Sequence, residues 1–143
     1  MRITRVYRFA ASHRLHAPSL SEEQNVELYG KCNNPHGHGH DYTLHISVKG
    51  DPDADSGRVL NIGALDRYVH ERLLSIYDHS DLNQDVPGFS GVATTENLAV
   101  DSHRRLCDGW PFRTARLERV FIQETGRNSI ELRTAIEKAI EKE

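Results

Sequence analysis

His40-Asp41-Tyr42-Thr43-Leu44-His45-Ile46-Ser47-Val48-Lys49 alternates residue by residue. Tyr42, Leu44, Ile46 and Val48 fall on one side, and Thr43, His45, Ser47 and Lys49 on the other. Successive side chains of an extended chain point to opposite faces, so this period of two predicts a strand with one buried face. The segment leading into it is Cys32-Asn33-Asn34-Pro35-His36-Gly37-His38-Gly39-His40. His38 and His40 are two residues apart at the start of the strand, so their imidazoles aim at one point. Gly37 and Gly39 leave room for a ligand to approach the backbone.

Working outward, residues 3–9 also alternate, with Ile3, Tyr7 and Phe9 opposed to Thr4 and Arg8, and predict a strand running into Ala10-Ala11-Ser12-His13. Residues 16–37 are rich in Pro, Ser, Asn, Gly and charge and read as one long loop, of a length that is usually functional or disordered. Asp51 to Gly57 is a turn on composition. From Asn61, a good N-cap, Leu65, Tyr68, Val69, Leu73 and Ile76 keep helical spacing. A second loop covers 78–93. Thr94 or Thr95 caps a helix to about Cys107, with Ala99, Val100, His103 and Leu106 as its expected buried side.

Residues 116–124 predict a strand with Val120 and Ile122 facing one way and Leu117 and Phe121 the other, and 129–133 a short partner. The tail Ala135 to Glu143 reads as a short helix. Two strands, two helices and two strands in that order imply an α+β fold with a mostly antiparallel sheet. At 143 residues the chain is one domain, 1–143, with 134–143 as a C-terminal extension of unassigned role.

Composition narrows the class. Lys plus Arg number 18 against 21 Asp plus Glu, a formal charge of −3, so neither nucleic acid nor an anionic membrane surface is expected as the main partner. Two cysteines, Cys32 and Cys107, are too few for a disulfide framework. The N-terminal residues lack the apolar core of a signal peptide, and no run approaches the roughly 20 apolar residues that span a bilayer. The expected setting is cytoplasmic.

Histidine is the outlier: nine in all, six of them from His13 to His45. An open catalytic zinc site uses three protein ligands and leaves the fourth position for water or substrate. His13, ending the first strand, is the natural third imidazole beside His38 and His40. His36 shares their parity and ranks fourth, whereas His45 is on the opposite parity and faces solvent. Cys32 has two readings, as a fourth ligand closing a structural site or as a thiolate base or nucleophile. Asp78-His79 is a carboxylate beside an imidazole, the pairing that orients a proton-transfer group, and it is expected to work through a turn or across to Cys32. Cys107 reads as a small core residue. Glu124, on the parity of Val120 and Ile122, is a carboxylate on an apolar face and needs a partner.

At these residues the sequence resembles the 6-pyruvoyl-tetrahydropterin synthase family, which also contains 6-carboxy-tetrahydropterin synthase. The matching segments are Phe9-Ala10-Ala11-Ser12-His13-Arg14-Leu15, Gly30-Lys31-Cys32-Asn33-Asn34-Pro35 with Gly37-His38-Gly39-His40, Asp78-His79 with Leu82-Asn83, Thr94-Thr95-Glu96-Asn97, and Gln123-Glu124-Thr125.

The resemblance implies the tunnelling fold: a four-stranded antiparallel sheet with two helices on one face, three copies closing a barrel and two barrels stacking into a homohexamer with sites between subunits. It implies Zn2+ on His13, His38 and His40, with Cys32, Asp78 and His79 catalytic and Cys32 the proton-transferring base. Glu124 would anchor the pterin, assisted by backbone at Thr94 and Thr95. The implied substrate is 7,8-dihydroneopterin triphosphate, a small-molecule pterin, and the implied product 6-pyruvoyl-tetrahydropterin, on the route to tetrahydrobiopterin. The alternative product is the 6-carboxy compound of queuosine and deazapurine synthesis, released with acetaldehyde. A non-catalytic zinc- or pterin-binding protein is the reading from another class. Tyr77 departs from the family pattern, where an aliphatic residue is commoner before the Asp-His pair. Arg14 and Lys31 are the basic groups placed to meet the triphosphate.

Overall fold

A computed structural model describes residues 1–135. The long antiparallel strands β1 (Arg2–His13) and β2 (His38–Gly50) form along their whole length, Arg2 opposite Lys49 and His13 opposite His38. Between them lies α1 (Glu22–Tyr29), followed by a 3-10 turn (Gly30–Asn33). The helix α2 (Ile62–Val69) runs through a π-turn (His70–Leu74) into the single turn α3 (Ser75–Tyr77). A two-residue strand β3 (Ser80–Asp81), the helix α4 (Thr95–Cys107), and the strands β4 (Ala115–Thr125) and β5 (Asn128–Arg133) complete the fold.

The sheet has five strands in the order β3-β1-β2-β4-β5, mixed rather than purely antiparallel. That corrects the expected four-stranded antiparallel sheet. β3 runs parallel to β1 at Ala11 and Ser12, and a two-residue strand is too short to leave an alternating pattern in the sequence.

The expected face of β2 is the core: Tyr42, Leu44, Ile46 and Val48 are all fully buried. The helices cover this side, packing Leu65, Val69, Leu73, Leu98 and Leu106 onto it. Val6, on the other face, is exposed. Burying each large aliphatic side chain stabilises the fold by about 1.5–3 kcal/mol, so this one face decides which side of the sheet carries the helices.

Four local expectations are corrected. Residues 16–37 are not all loop: Ser21 and Gln24 form a capping box that starts α1. Leu117 shares the buried face with Val120 and Ile122, because a bulge places Ser47 opposite Arg119 and Val48 opposite Leu117 and so reverses the parity at Glu118. In α4, Val100 is exposed and the buried positions are Thr95, Leu98, Ala99, Asp101, Ser102 and Leu106. Cys107 is exposed as well, against the expected core placement, with its Sγ 3.6 Å from His103 Nε2. The helix expected from Ala135 lies, beyond Ala135 itself, outside the described residues. Thr134 still belongs to the fold, donating its backbone N–H to the Glu118 carbonyl at 2.9 Å.

Candidate metal centre and active site

The pairing of β1 with β2 brings the histidines together. His13 lies opposite His38 and Ala11 opposite His40, so all three imidazoles leave the core face at one end of the sheet. Their ring centroids are 4.7, 4.8 and 5.1 Å apart, and the rings stand steeply edge-to-face. Gly37, at φ +70°, fits here because a Cβ would come within 2.9 Å of the His13 carbonyl oxygen. Its role is thus the approach of two backbones rather than room for a ligand. Gln123 lies opposite Thr43, which sets the next residue, Glu124, beside Tyr42 at the same end.

His13 is 2% exposed, and its Nδ1–H donates to the Ala93 carbonyl at 2.7 Å. That bond selects the tautomer with Nε2 unprotonated and directed at the cluster. His13 Nε2 lies 3.2 Å from His38 Nε2. Two nitrogens bound tetrahedrally at the usual zinc–nitrogen length are about 3.3 Å apart, so the spacing suits a shared ion. His40 Nε2 is buried without a directed hydrogen bond, although Glu124 Oε1 is 2.9 Å away. The donor atoms of His13, His38, His40 and Glu124 all lie within 4.8 Å of one another. Three convergent imidazole nitrogens, one of them otherwise orphaned, fit a divalent metal such as zinc.

Glu124 is held by Thr95, expected at the site through its backbone, and by Asn128, which the sequence left unassigned. Its Oε2 accepts from Thr95 Oγ1 at 2.6 Å and from Asn128 Nδ2 at 2.8 Å, which leaves Oε1 facing His40 and His13. Burial works against its ionisation, but those two donors and the neighbouring imidazoles outweigh it and hold the carboxyl below its ordinary value. Thr95 therefore acts through its hydroxyl, and Thr94 is the N-cap of α4, accepting from Asn97 N–H. Neither the Ala93 carbonyl nor Asn128 has a motif of its own, although Asn128 follows the predicted 116–124 strand closely enough to suggest it.

Cys32 sits half-buried on the 3-10 turn and is not among the four grouped ligands. Its carbonyl accepts from Leu15 N–H at 2.9 Å. Asp78 and His79 lie instead at the outer edge of β1. Ala10 N–H donates to Asp78 Oδ1 at 3.0 Å, and His79 N–H donates to the Ala10 carbonyl at 2.6 Å. The Ala10 bond is the chief reason that Asp78 ionises below its ordinary range. His79 has φ +58° and places Nδ1 3.0 Å from Asp78 Oδ1, so the two neighbours pair through a turn. His79 and His40 line one open cleft of about 460 Å³. Among the described residues, Cys32 makes no hydrogen bond to either member of the Asp78–His79 pair.

A larger cleft, about 710 Å³, opens beside His13 and is lined by Arg14, His16, His36 and Asp81. His36 thus faces this cleft and is absent from the ligand group. Lys31 lines a separate depression with Glu22 and Gly30, while Arg14 borders both. His45 lies on the opposite sheet face against Phe121, 4.8 Å between ring centroids.

The family model for 6-pyruvoyl tetrahydropterin synthase matches residues 2–135. The chain belongs to this family. It is 50% identical over 99 residues to the 6-pyruvoyl tetrahydrobiopterin synthase of Poecilia reticulata, covering 68% of this chain and 67% of the relative. It is 39% identical over 105 residues, 69% of this chain and 68% of the relative, to the 6-carboxy-5,6,7,8-tetrahydropterin synthase of Bacillus subtilis. The structure of the Caenorhabditis elegans 6-pyruvoyl tetrahydropterin synthase superposes with a TM-score of 0.87 at 34% identity, covering 94% of this chain and 96% of that one. A Plasmodium vivax member at 14% identity shares the fold, with a TM-score of 0.66 over 95% of this chain and 99% of that one.

The family site makes a pH prediction for the metal-free protein. Burial, foremost, lowers His38 and His40 below the ordinary imidazole value of 6.5, and it lowers His45 and His103 likewise. Between those folded values and 6.5 the unfolded chain binds more protons than the native one, so stability falls as pH falls through that window. Asp78 and Glu124, with lowered carboxyls, would lose their contribution only below their unfolded values of 3.8 and 4.5. Thermal unfolding should therefore come earlier at about pH 5.5 than at about pH 7.5. A midpoint that does not move between the two would contradict the assignment.

Proposed function

We propose that this chain is a zinc-dependent lyase that converts 7,8-dihydroneopterin triphosphate to 6-pyruvoyl-tetrahydropterin and releases triphosphate. The observation that carries the reading is the convergence of three imidazole nitrogens on one point beside a carboxylate already fixed through its other oxygen. His13, His38 and His40 would hold zinc, which when bound supplies Lewis acidity to the oxygens of the substrate side chain.

The chain's own groups do the rest. Glu124, with Oε2 held by Thr95 and Asn128, offers its free oxygen to the ring N–H groups and fixes the pterin against the metal. Cys32, as thiolate, takes a proton from a hydroxyl-bearing carbon of the substrate side chain. The Asp78–His79 pair holds and returns protons on the other side. The electron pair left by that proton moves within the substrate, so the side chain is oxidised as the ring is reduced. Triphosphate then departs with its bonding electrons, and no external reductant is needed. Arg14, His16 and His36 border the cleft beside His13 that suits the phosphate chain.

A homohexamer built from two trimeric barrels is part of the proposal. Among the described residues, the outer edge of β1 before Ala11 and the outer edge of β5 carry no strand, and each suits pairing with another copy. Completion of the site by a neighbour would also account for the lack of a bond between Cys32 and Asp78–His79.

The test is a product assay on zinc-loaded protein with 7,8-dihydroneopterin triphosphate, followed by mass spectrometry and acetaldehyde detection. Triphosphate without acetaldehyde is the expected result. Acetaldehyde with a 6-carboxy product would transfer the chain to the branch of the Bacillus subtilis relative. Zinc-loaded protein without turnover would overturn both enzymatic readings and leave the non-catalytic one.

A further inference from the structure

Tyr77, the residue that departs from the family pattern, ends α3 one position before Asp78 and is fully buried. Its ring packs against Phe9, 5.5 Å between centroids, and its hydroxyl donates to Asp101 Oδ2 on α4 at 2.5 Å. Ser102 Oγ lies 3.2 Å from the same hydroxyl. The Asp101 side chain is 4% exposed and accepts two further bonds, from Arg105 Nε and Arg104 Nη2, each at 2.7 Å. The two arginines reach on to the far side of the loop, Arg105 to the Pro87 carbonyl and Arg104 to the Gly88 carbonyl at 3.4 Å. One carboxylate on α4 thus ties down both ends of the segment from Tyr77 to Gly88.

The segment needs such a tie. Among the described residues, His79 is the only non-glycine with positive φ, a strained conformation that persists only where the surroundings over-determine it. The His79 side chain is 83% exposed, and among the described residues its ion-pair partner is Asp78. Its position is therefore set by the backbone of residues 77–80. Other bonds also hold that backbone: Asp78 N–H donates to the Leu74 carbonyl at 2.9 Å, His79 N–H to the Ala10 carbonyl, and Ser80 Oγ to the Tyr77 carbonyl at 2.7 Å. A buried charged cluster is weak evidence of stabilisation, since an apolar cluster of the same volume often does as well. What it supplies well is one fixed arrangement.

We infer that Asp101 and Tyr77 are positioning residues, a clamp from α4 that fixes the Asp78–His79 pair in its working geometry. The inference rests on the proposed role of that pair in proton transfer, but it has a readout of its own. In Tyr77→Phe the ring packing stays and the hydroxyl's bonds to Asp101 and Ser102 are lost.

The His79 ring C–H resonances of this variant should shift or broaden, while those of His70 and His103 stay in place. In the same protein kcat should fall roughly 10–100-fold with KM and zinc content unchanged, as expected when a reacting group is misplaced by about 1 Å. Val48→Ala, at the far end of the sheet beside Ile3, controls for lowered stability and should leave both readouts where they were. His79 resonances identical to wild type would overturn the inference, as would a loss of kcat that Val48→Ala reproduces at an equal drop in Tm. If the wild-type protein turns over no pterin, the proposed function fails while the resonance comparison still decides the clamp.

Discussion

Replacing His38 with alanine should leave a folded protein that no longer retains zinc through gel filtration and has lost its turnover. The fold should survive because His38 is at the open end of β2, half-exposed, and among the described residues its side chain has a hydrogen-bond contact to His13 Nε2 alone. Its backbone pairing with His13 does not depend on the side chain. The effect on metal should be large. Outer-shell substitutions at such sites cost about 10–100-fold in affinity, and removing one of three ligands exceeds that.

His13 is the less informative choice. It is buried and holds the Ala93 carbonyl, so its removal adds a cavity and an orphaned acceptor to the lost ligand. Glu124→Gln is the useful contrast. It keeps all three imidazoles, so elemental analysis should find zinc near the wild-type level while pterin binding weakens. Full zinc retention by His38→Ala would contradict the ligand set. Zinc loss in Glu124→Gln as severe as in His38→Ala would make Glu124 a ligand instead of a pterin anchor.

How far the sequence reaches can be judged at single residues. The parity from His38 to Val48 contained both the core face and the direction of the imidazoles, because a half-buried strand writes its geometry into every second position. His13 followed from strand adjacency. The misses share a cause: they depend on hydrogen bonds rather than on apolar periodicity. In α1 the buried residue is Asn25, which donates to the Ala17 carbonyl, while Val26 and Leu28 are exposed, so a search for an apolar stripe passes over the helix. The face of α4 was misplaced toward Val100 because Thr95, Asp101 and Ser102 are buried as bonded polar groups. The bulge at Glu118 inserts one residue and reverses the parity that the sequence would have carried on to Leu117. The separation of Cys32 from Asp78–His79 is a fact of topology, since one lies on the turn before β2 and the other at the edge of β1.

That separation gives the second large prediction. Cys32→Ala should keep zinc and pterin affinity, since Cys32 lies outside the ligand group and away from Glu124's hydrogen bonds. Its kcat should fall by about 10²–10⁴-fold, the usual contribution of a positioned acid or base. Wild-type turnover in this variant would eliminate Cys32 as the base, and loss of zinc would return it to the ligand set. His79→Ala should behave in the same way, and because members of one relay act as a unit, the double variant should be little worse than either single one.

The two variants also decide where each site is assembled. If one chain supplies Cys32 and its neighbour Asp78–His79, unfolding and reassembling an equal mixture of Cys32→Ala and His79→Ala subunits should restore about a quarter of the sites, those in which the intact half of each chain meets the other. If a single chain supplies both, each mixed site still lacks one group and no activity returns. Recovered turnover would therefore establish a shared site from two proteins that are each inactive alone, and its absence in mixed, zinc-loaded oligomers would confine the chemistry to one chain.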